Sequence, residues 1–531
     1  MPSGMTRSLD LNRRTSRLAR VVCGLAVCLV AGLTSSASAN VRLPNVIGNN
    51  MVLQQELPLQ FWGWADPGEK VTVELAGQKV EAEANAKGEW KVKLNPLKAE
   101  GQTLELIVTG KNTIKLTNIL VGEVWVGSGQ SNMQWSVQAS ANPQQEIAAA
   151  NYPQIRLFQI PLVPSGTPAP EVNAQWQPCV PQTATNFSAV LYFFGREIHK
   201  TRKVPVGLIM TAWGGTRIEP WIPPAGFANE PALARELQEW KNLKAAHAKN
   251  LKAYAAAMKA WSDKAAATPE GEDVPEPPAA PAHPLNSNNQ YTGLYNGMVH
   301  AIVPFTIRGA LWYQGESNRG AGMHYADLTR GLVNGWRSVW GQDLSFYWVQ
   351  LAPYRYGNNP TWLPGIWEAQ AAAQKIPNTG MAVITDIGNI NDIHPNNKQE
   401  VGRRLALWAL AKTYGQSDVV YSGPVFKSLK VDGNKAILQF EQTAGGLKSL
   451  NDKPLTWFSV AGEDKKFVAA TAEIQGDTVV VTSPGVAKPV AVRFGWHELA
   501  EPNLGNKVGL PASPFRTDTW TDATNAEPAA K

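Results

Sequence analysis

The apolar and polar positions of this chain fall into three regimes. From Val41 to about Leu120 the dominant period is two. Leu59–Trp64, Lys70–Leu75, Glu89–Leu94 and Leu104–Val108 alternate, with turn-forming Ala65-Asp66-Pro67-Gly68 and Ala76-Gly77 between them. Short alternating strands at this spacing predict a small β-sandwich or jelly roll. From Asn118 the pattern changes to short apolar runs alternating with helical periodicity. Val121–Val126, Val206–Met210, Ile302–Trp312, Leu344–Leu351 and Met381–Ile384 read as buried strands, and Ser188–Lys200 and Lys398–Lys412 as helices. That alternation predicts a parallel sheet with helices on both faces, whose ligands bind at the carboxyl ends of the strands. From about Tyr421 the period of two returns. Phe426–Val431 and Lys435–Phe440 flank an Asp432-Gly433 turn, and Thr478–Thr482 and Pro489–Phe494 follow. They predict a second β module.

Two segments interrupt this scheme. Between Asn229 and Pro284, Leu233, Leu237, Trp240, Leu251, Tyr254, Met258 and Trp261 recur at helical spacing. They predict one long amphipathic helix or a helical hairpin. A Pro/Ala/Glu run from Thr268 to Pro284 then reads as an exposed, mobile arm. At the N-terminus, Arg13, Arg14, Arg17 and Arg20 precede an apolar stretch, Val21–Leu33, and a small-residue Ala37-Ser38-Ala39 site. This is the pattern of a secretory signal, which predicts a secreted or periplasmic protein with no membrane span after removal of the leader. The resulting divisions are 1–39 for the leader, 40–117 for the first β module, 118–415 for the α/β domain with its insertion at 229–284, and 416–531 for the last β module and tail.

Composition adds less. The 531 residues are 44% hydrophobic and 17% charged, with a net charge of +6 concentrated partly in the leader. No Lys/Arg block remains in the body, so nucleic acid is not an expected partner. Of three cysteines, Cys23 and Cys28 lie in the leader. The mature chain would keep Cys179 alone, which excludes an internal disulfide and a cysteine metal site. The 20 tryptophans are unusual. Their rings can stack on sugar CH groups while the N–H bonds to a hydroxyl, although such rings also build cores.

The candidate chemistry sits at the predicted strand ends. Val121–Val126 runs into Gly127-Ser128-Gly129-Gln130-Ser131, which delivers a hydroxyl just past a buried strand. Of seven histidines, His394 in Asn391-Asp392-Ile393-His394-Pro395 lies in a loop between a predicted strand and a helix, with Asp392 two residues away. A serine, a histidine as base and an orienting carboxylate make a triad. Gly214-Gly215, Gln314, Asn318 and the Ser131 N–H could supply oxyanion donors from neighbouring strand ends.

Four motifs together resemble the sialate O-acetylesterase family of SGNH hydrolases. They are Gly129-Gln130-Ser131-Asn132-Met133, Trp213-Gly214-Gly215-Thr216-Arg217, Trp312-Tyr313-Gln314-Gly315-Glu316-Ser317-Asn318 and Asp392-Ile393-His394-Pro395. The resemblance implies a flavodoxin-like three-layer α/β/α domain with flanking β-sandwich-like modules and removal of acetyl groups from sugars such as sialic acid, xylan or xyloglucan. No metal or cofactor is implied. It also implies Ser131 as nucleophile, His394 as base and an oxyanion hole from Ser131, Gly215 and Gln314, with Asn318 as an alternative donor. SGNH enzymes usually place the acid three residues before the histidine. The spacing here is two, so Asp392 competes with Asp386 and Glu316 for that role. Trp213, Arg217 and Trp312 are candidates for sugar contact. Two other classes fit parts of the pattern: a glycoside hydrolase using Glu316 and Glu123, and a non-catalytic glycan-binding protein built on the β modules. Oligomeric state is not legible.

Overall fold

The computed structural model describes residues 40–357 and 359–520, so the leader expected at 1–39 and the last eleven residues lie outside it. Its centre is a seven-stranded path in one large sheet. We number these strands β1 (Thr113–Gly129), β2 (Tyr152–Gln159), β3 (Gln177–Cys179), β4 (Val206–Ala212), β5 (Gly309–Tyr313), β6 (Ser345–Val349) and β7 (Thr379–Ala382). The spatial order is β7-β6-β5-β1-β4-β2-β3. All neighbours run parallel except β2 and β3, which pair antiparallel at the edge. The strand expected within Ile302–Trp312 is Gly309–Tyr313, preceded by irregular helical turns at Tyr295–Val299 and His300–Ile302.

The apolar runs form strands because both faces of this sheet are covered. The covering helices include α2 (Ala189–Arg202), α4 (His324–Trp340), α5 (Trp362–Ala373) and α6 (Lys398–Trp408). Side chains alternate across a strand. Thus Tyr347 of β6 meets Trp408 of α6, with centroids 6.2 Å apart, while its neighbour Phe346 meets Trp336 of α4 at 5.8 Å. Trp125 of β1 shares the first side and packs edge-on against Phe194 of α2 at 5.0 Å. Seven tryptophans (Trp125, Trp176, Trp221, Trp312, Trp336, Trp348 and Trp367) are below 2% exposed, so much of the tryptophan excess builds the core.

β1 is 17 residues long and serves two layers. Its first half pairs with Leu104–Thr109 of the N-terminal β module and with Val52–Gln54, and its second half is the central strand of the parallel sheet. The division expected between 117 and 118 therefore falls within one strand. The N-terminal module and the α/β layers share one continuous hydrophobic cluster. A separate cluster, including Leu438, Val460, Val479, Val492 and Phe494, forms the core of the C-terminal β module. That module is tied back by a two-pronged ion pair from Arg516 to Glu368 of α5, both contacts at 2.9 Å.

The insertion carries a single helix, α3 (Ala234–Ala266), rather than a hairpin. The Pro-rich run does not stand away from it. Trp261 Nε1 donates to the Pro275 carbonyl at 2.6 Å, and the His247 and His283 rings lie 4.3 Å apart, so the run folds back along the helix. No helix among the described residues is long and apolar enough to cross a membrane.

Glu123, in the middle of β1, is fully buried. Its carboxylate accepts from Gln54 (3.0 Å), Gln55 (2.7 Å) and Arg308 (2.8 Å). This network fastens the N-terminal module to the sheet. Removing only the cation would leave a buried, uncompensated carboxylate. Arg308→Met should therefore destabilise the protein by about 3 kcal/mol in denaturant titrations; an unchanged midpoint would show that the network carries no weight.

Candidate active site

Ser131 owes its position to the end of β1. Gly129 has φ +134°, and a Cβ there would lie 2.2 Å from the Tyr313 carbonyl oxygen of β5. Only glycine allows the two strands to stay in contact through this bend. Gln130 N–H then donates to Tyr313 O at 3.0 Å. The chain turns at once into the four-residue helix α1 (Ser131–Gln134), which leaves Ser131 half-buried at the carboxyl end of the central strand.

His394 reaches the same point from the loop after β7. Its Nε2 lies 2.9 Å from Ser131 Oγ. Trp135 stacks on the imidazole, with centroids 4.3 Å apart and planes 17° from parallel, which fixes the ring's orientation. Asp392 accepts the His394 backbone N–H at 2.9 Å, and the same oxygen lies 3.9 Å from ring Nδ1. It therefore faces the imidazole without a direct bond to it. Asp386 is engaged elsewhere: Arg404 holds both its oxygens at 2.6 Å. Glu316 is turned toward Asn132, not His394.

Asn132 is the knot beneath the pair. Its amide donates to Glu316 Oε1 at 2.7 Å and to the Ile393 carbonyl at 3.0 Å, while its oxygen accepts from Lys398 Nζ. One side chain thus links the serine turn, the histidine loop, the turn after β5 and the start of α6. Lys398 and Glu316 are both buried. Burial pushes the Lys398 ammonium down to about 7 and holds the Glu316 carboxyl above its ordinary range. Burial also lowers the His394 imidazole; the Lys398 charge lowers it further, and Asp392 opposes both.

The loop after β4 closes the other side. Gly214 N–H donates to Gln134 Oε1 at 2.8 Å, and Gly215, exposed with φ +76°, follows. Gln314 is fully buried; its amide donates to the Thr216 carbonyl (3.1 Å) and Asn318 Oδ1 (2.8 Å), and its oxygen accepts from Tyr325 OH at 2.8 Å. Asn318 in turn donates to Glu219 (3.1 Å) and accepts from Ile218 N–H (3.0 Å). Both amides brace this loop and point their donors into it. Trp213 is half-buried, and Arg217 is exposed and paired with Glu219 at 2.6 Å. Trp312, considered for sugar contact, is 1% exposed in the core, where no sugar can stack on it. Glu123, the second carboxylate of the glycoside hydrolase alternative, is sealed in its network with Arg308. Cys179 is no rival nucleophile, since burial pushes its thiol up to about 12.

The family model described as carbohydrate esterase, sialic acid-specific acetylesterase, matches residues 121–258. The sialate O-acetylesterase of Rattus norvegicus is 30% identical over 466 residues, covering 78% of this chain and 81% of the relative. The chain belongs to the sialate O-acetylesterase family. The human sialate O-acetylesterase is 28% identical over 561 residues, covering 93% of this chain and 96% of its own. Among solved structures, a carbohydrate acetylesterase from Xanthomonas citri matches with a TM-score of 0.77 and 35% identity, over 90% of this chain and 100% of that one.

The family's chemistry is carbohydrate O-acetyl ester hydrolysis, and the Ser131–His394 pair stands where the sheet topology puts ligands. Trp135 and Lys398 were not singled out from sequence. Their signal is faint: Trp135 falls four residues after Ser131, and Lys398 four after His394, within reach only once the loops are folded. The electrostatics yield opposite expectations for two variants. The Lys398 charge lowers the His394 pKa and Asp392 raises it, so Lys398→Met should raise it and Asp392→Asn should lower it. NMR titration of the ring reads both; shifts of the same sign would contradict this picture.

Proposed function

We propose that this protein removes O-acetyl groups from glycans through an acetyl-enzyme on Ser131. The observation that carries the reading is the 2.9 Å contact between His394 Nε2 and Ser131 Oγ at the carboxyl end of the central strand. His394 takes the serine proton as Oγ attacks the acetyl carbonyl. The tetrahedral oxyanion is received by the backbone N–H groups of Ser131 and Gly215. Gln314 supports that hole by holding its loop, because both its amide hydrogens are already engaged, and Asn318, which gives one of its two amide hydrogens to Glu219, braces the same loop and is the alternative side-chain donor. The sugar oxygen leaves with the proton from His394. Water, deprotonated by the same imidazole, then releases acetate.

Asp392 serves as the acid of the triad. At 3.9 Å from Nδ1 it stabilises the imidazolium by charge and closes on it as that charge develops. The stack on Trp135 keeps Nε2 aimed at Ser131 throughout. Sialic acid and acetylated plant polysaccharides are the substrate classes to compare, and the leader pattern at 1–39 supports export to a compartment where such glycans occur. Ser131→Ala should lower turnover of 4-nitrophenyl acetate and acetate release from acetylated glycans by roughly ten-thousand-fold or more without loss of fold. A folded variant that retains turnover would remove Ser131 from the mechanism.

A further inference from the structure

Each time His394 takes the Ser131 proton it becomes an imidazolium, and that cation needs a stabilising neighbour. The carboxylate that faces the ring is Asp392, whose oxygen stands 3.9 Å from Nδ1 with no direct bond between them. The Asp392 side chain is 54% exposed, and an ion pair so open to water contributes little. The other charge facing the ring, Lys398 from α6, works against a cation. The imidazole itself is 24% exposed, so water covers only part of it.

One surface meets the ring face to face. Trp135 lies 4.3 Å from it, centroid to centroid, with the planes 17° from parallel. The π face of an indole is negative and attracts a cation placed over it within about 6 Å. The indole is anchored independently of His394. Its backbone N–H donates to the Ser131 carbonyl at 2.8 Å, its carbonyl accepts from the Ala189 N–H at 2.8 Å, and ring Nε1 donates to the Ala139 carbonyl at 2.7 Å. Lys398 Nζ lies 5.9 Å from the centroid of the same indole, with its own place set by Asn132.

We infer that Trp135 is a positioning residue that stabilises the His394 imidazolium through its π face, with a share at least as large as that of Asp392. This rests on the esterase reading of Ser131 and His394. The proton passes from Ser131 Oγ to Nε2 as the acetyl carbonyl is attacked, and from Nε2 to the leaving sugar oxygen. Between these steps the positive charge is spread over a ring that lies flat on the indole. Lys398 favours the neutral imidazole that must act as the base, and Trp135 favours the cation that the base becomes.

The test compares the full-length protein with Trp135→Phe, Trp135→Leu and Asp392→Asn. Both Trp135 variants lose the bond to Ala139, so the difference between them reads the aromatic face. On 4-nitrophenyl acetate, Trp135→Leu should lower kcat by roughly tenfold, and by no less than Asp392→Asn does. KM should change by less than about twofold, and Trp135→Phe should recover most of the loss. NMR titration of the His394 ring should find its midpoint at lower pH in Trp135→Leu than in Trp135→Phe, because the charged form has lost its partner. A ring that merely excluded water would give the opposite sign, since opening the site favours the charged form. Equal kcat values in the two Trp135 variants, a higher midpoint in Trp135→Leu, or a smaller loss there than in Asp392→Asn each overturns the proposal. If the unmodified protein hydrolyses no acetyl ester, the esterase reading fails and the catalytic share assigned to Trp135 falls with it, while the titration midpoints still decide whether the indole holds the cation.

Discussion

The contact between Ser131 Oγ and His394 Nε2 joins two loops 263 positions apart in the chain, and most of the surrounding structure can be understood as what keeps it in place. Neither loop could hold its residue alone. Ser131 sits on a four-residue helix and His394 in an irregular turn. What fixes them is a buried polar knot. Asn132 grips the histidine loop through Ile393 and is itself gripped by Glu316 and Lys398. Buried polar groups of this kind are expensive unless satisfied, and when satisfied they define a single geometry. Trp135 adds a flat wall against the imidazole. The serine turn thus carries the proposed nucleophile, the knot and the wall within five consecutive residues.

The sheet makes this possible by bringing loops from distant parts of the chain to one edge. β1, β4, β5 and β7 all deliver their following loops to the carboxyl side, in keeping with parallel pairing. The glycine bend at Gly129 lets β1 stay against β5 to its last residue, so the β1 and β5 loops start level with one another. At the opposite end of the second half of β1, Glu123 is tied to Gln54, Gln55 and Arg308. The N-terminal module is therefore part of the support for the strand that carries Ser131, not an appendage to it. Lys398 adds an electrostatic layer: a buried amine near neutrality, close enough to weigh on His394.

Much of this was legible in the sequence. The central strands and α2 followed from apolar periodicity, because residues buried on both faces leave a pattern that local sequence reveals. Ser131 and His394 could be singled out because each stands in a turn beside a strong strand or helix signal. The limits were equally physical. Strand β1 runs through the point where the hydrophobic pattern changes, so the boundary drawn there falls inside it. Gln314 looked like an oxyanion donor because amide side chains at a strand end can point either outward or inward, and only the folded loop shows both its amide hydrogens bonded, to Thr216 and Asn318. Trp312 looked like a sugar platform for the same reason that any tryptophan does, and it is core. Lys398 opens a predicted helix, and nothing local marks a lysine that folds inward to meet Asn132.

The central claim is that Ser131 is the activated nucleophile. The most direct measurement is the site of covalent modification by a fluorophosphonate, which reacts with serines activated by a base. Mass spectrometry of the digested, full-length protein should find the adduct on the peptide containing Ser131. An acetylated oligosaccharide should slow its formation. A protein that remains fully active after modification, or an adduct on another residue that accompanies loss of activity, would contradict the account.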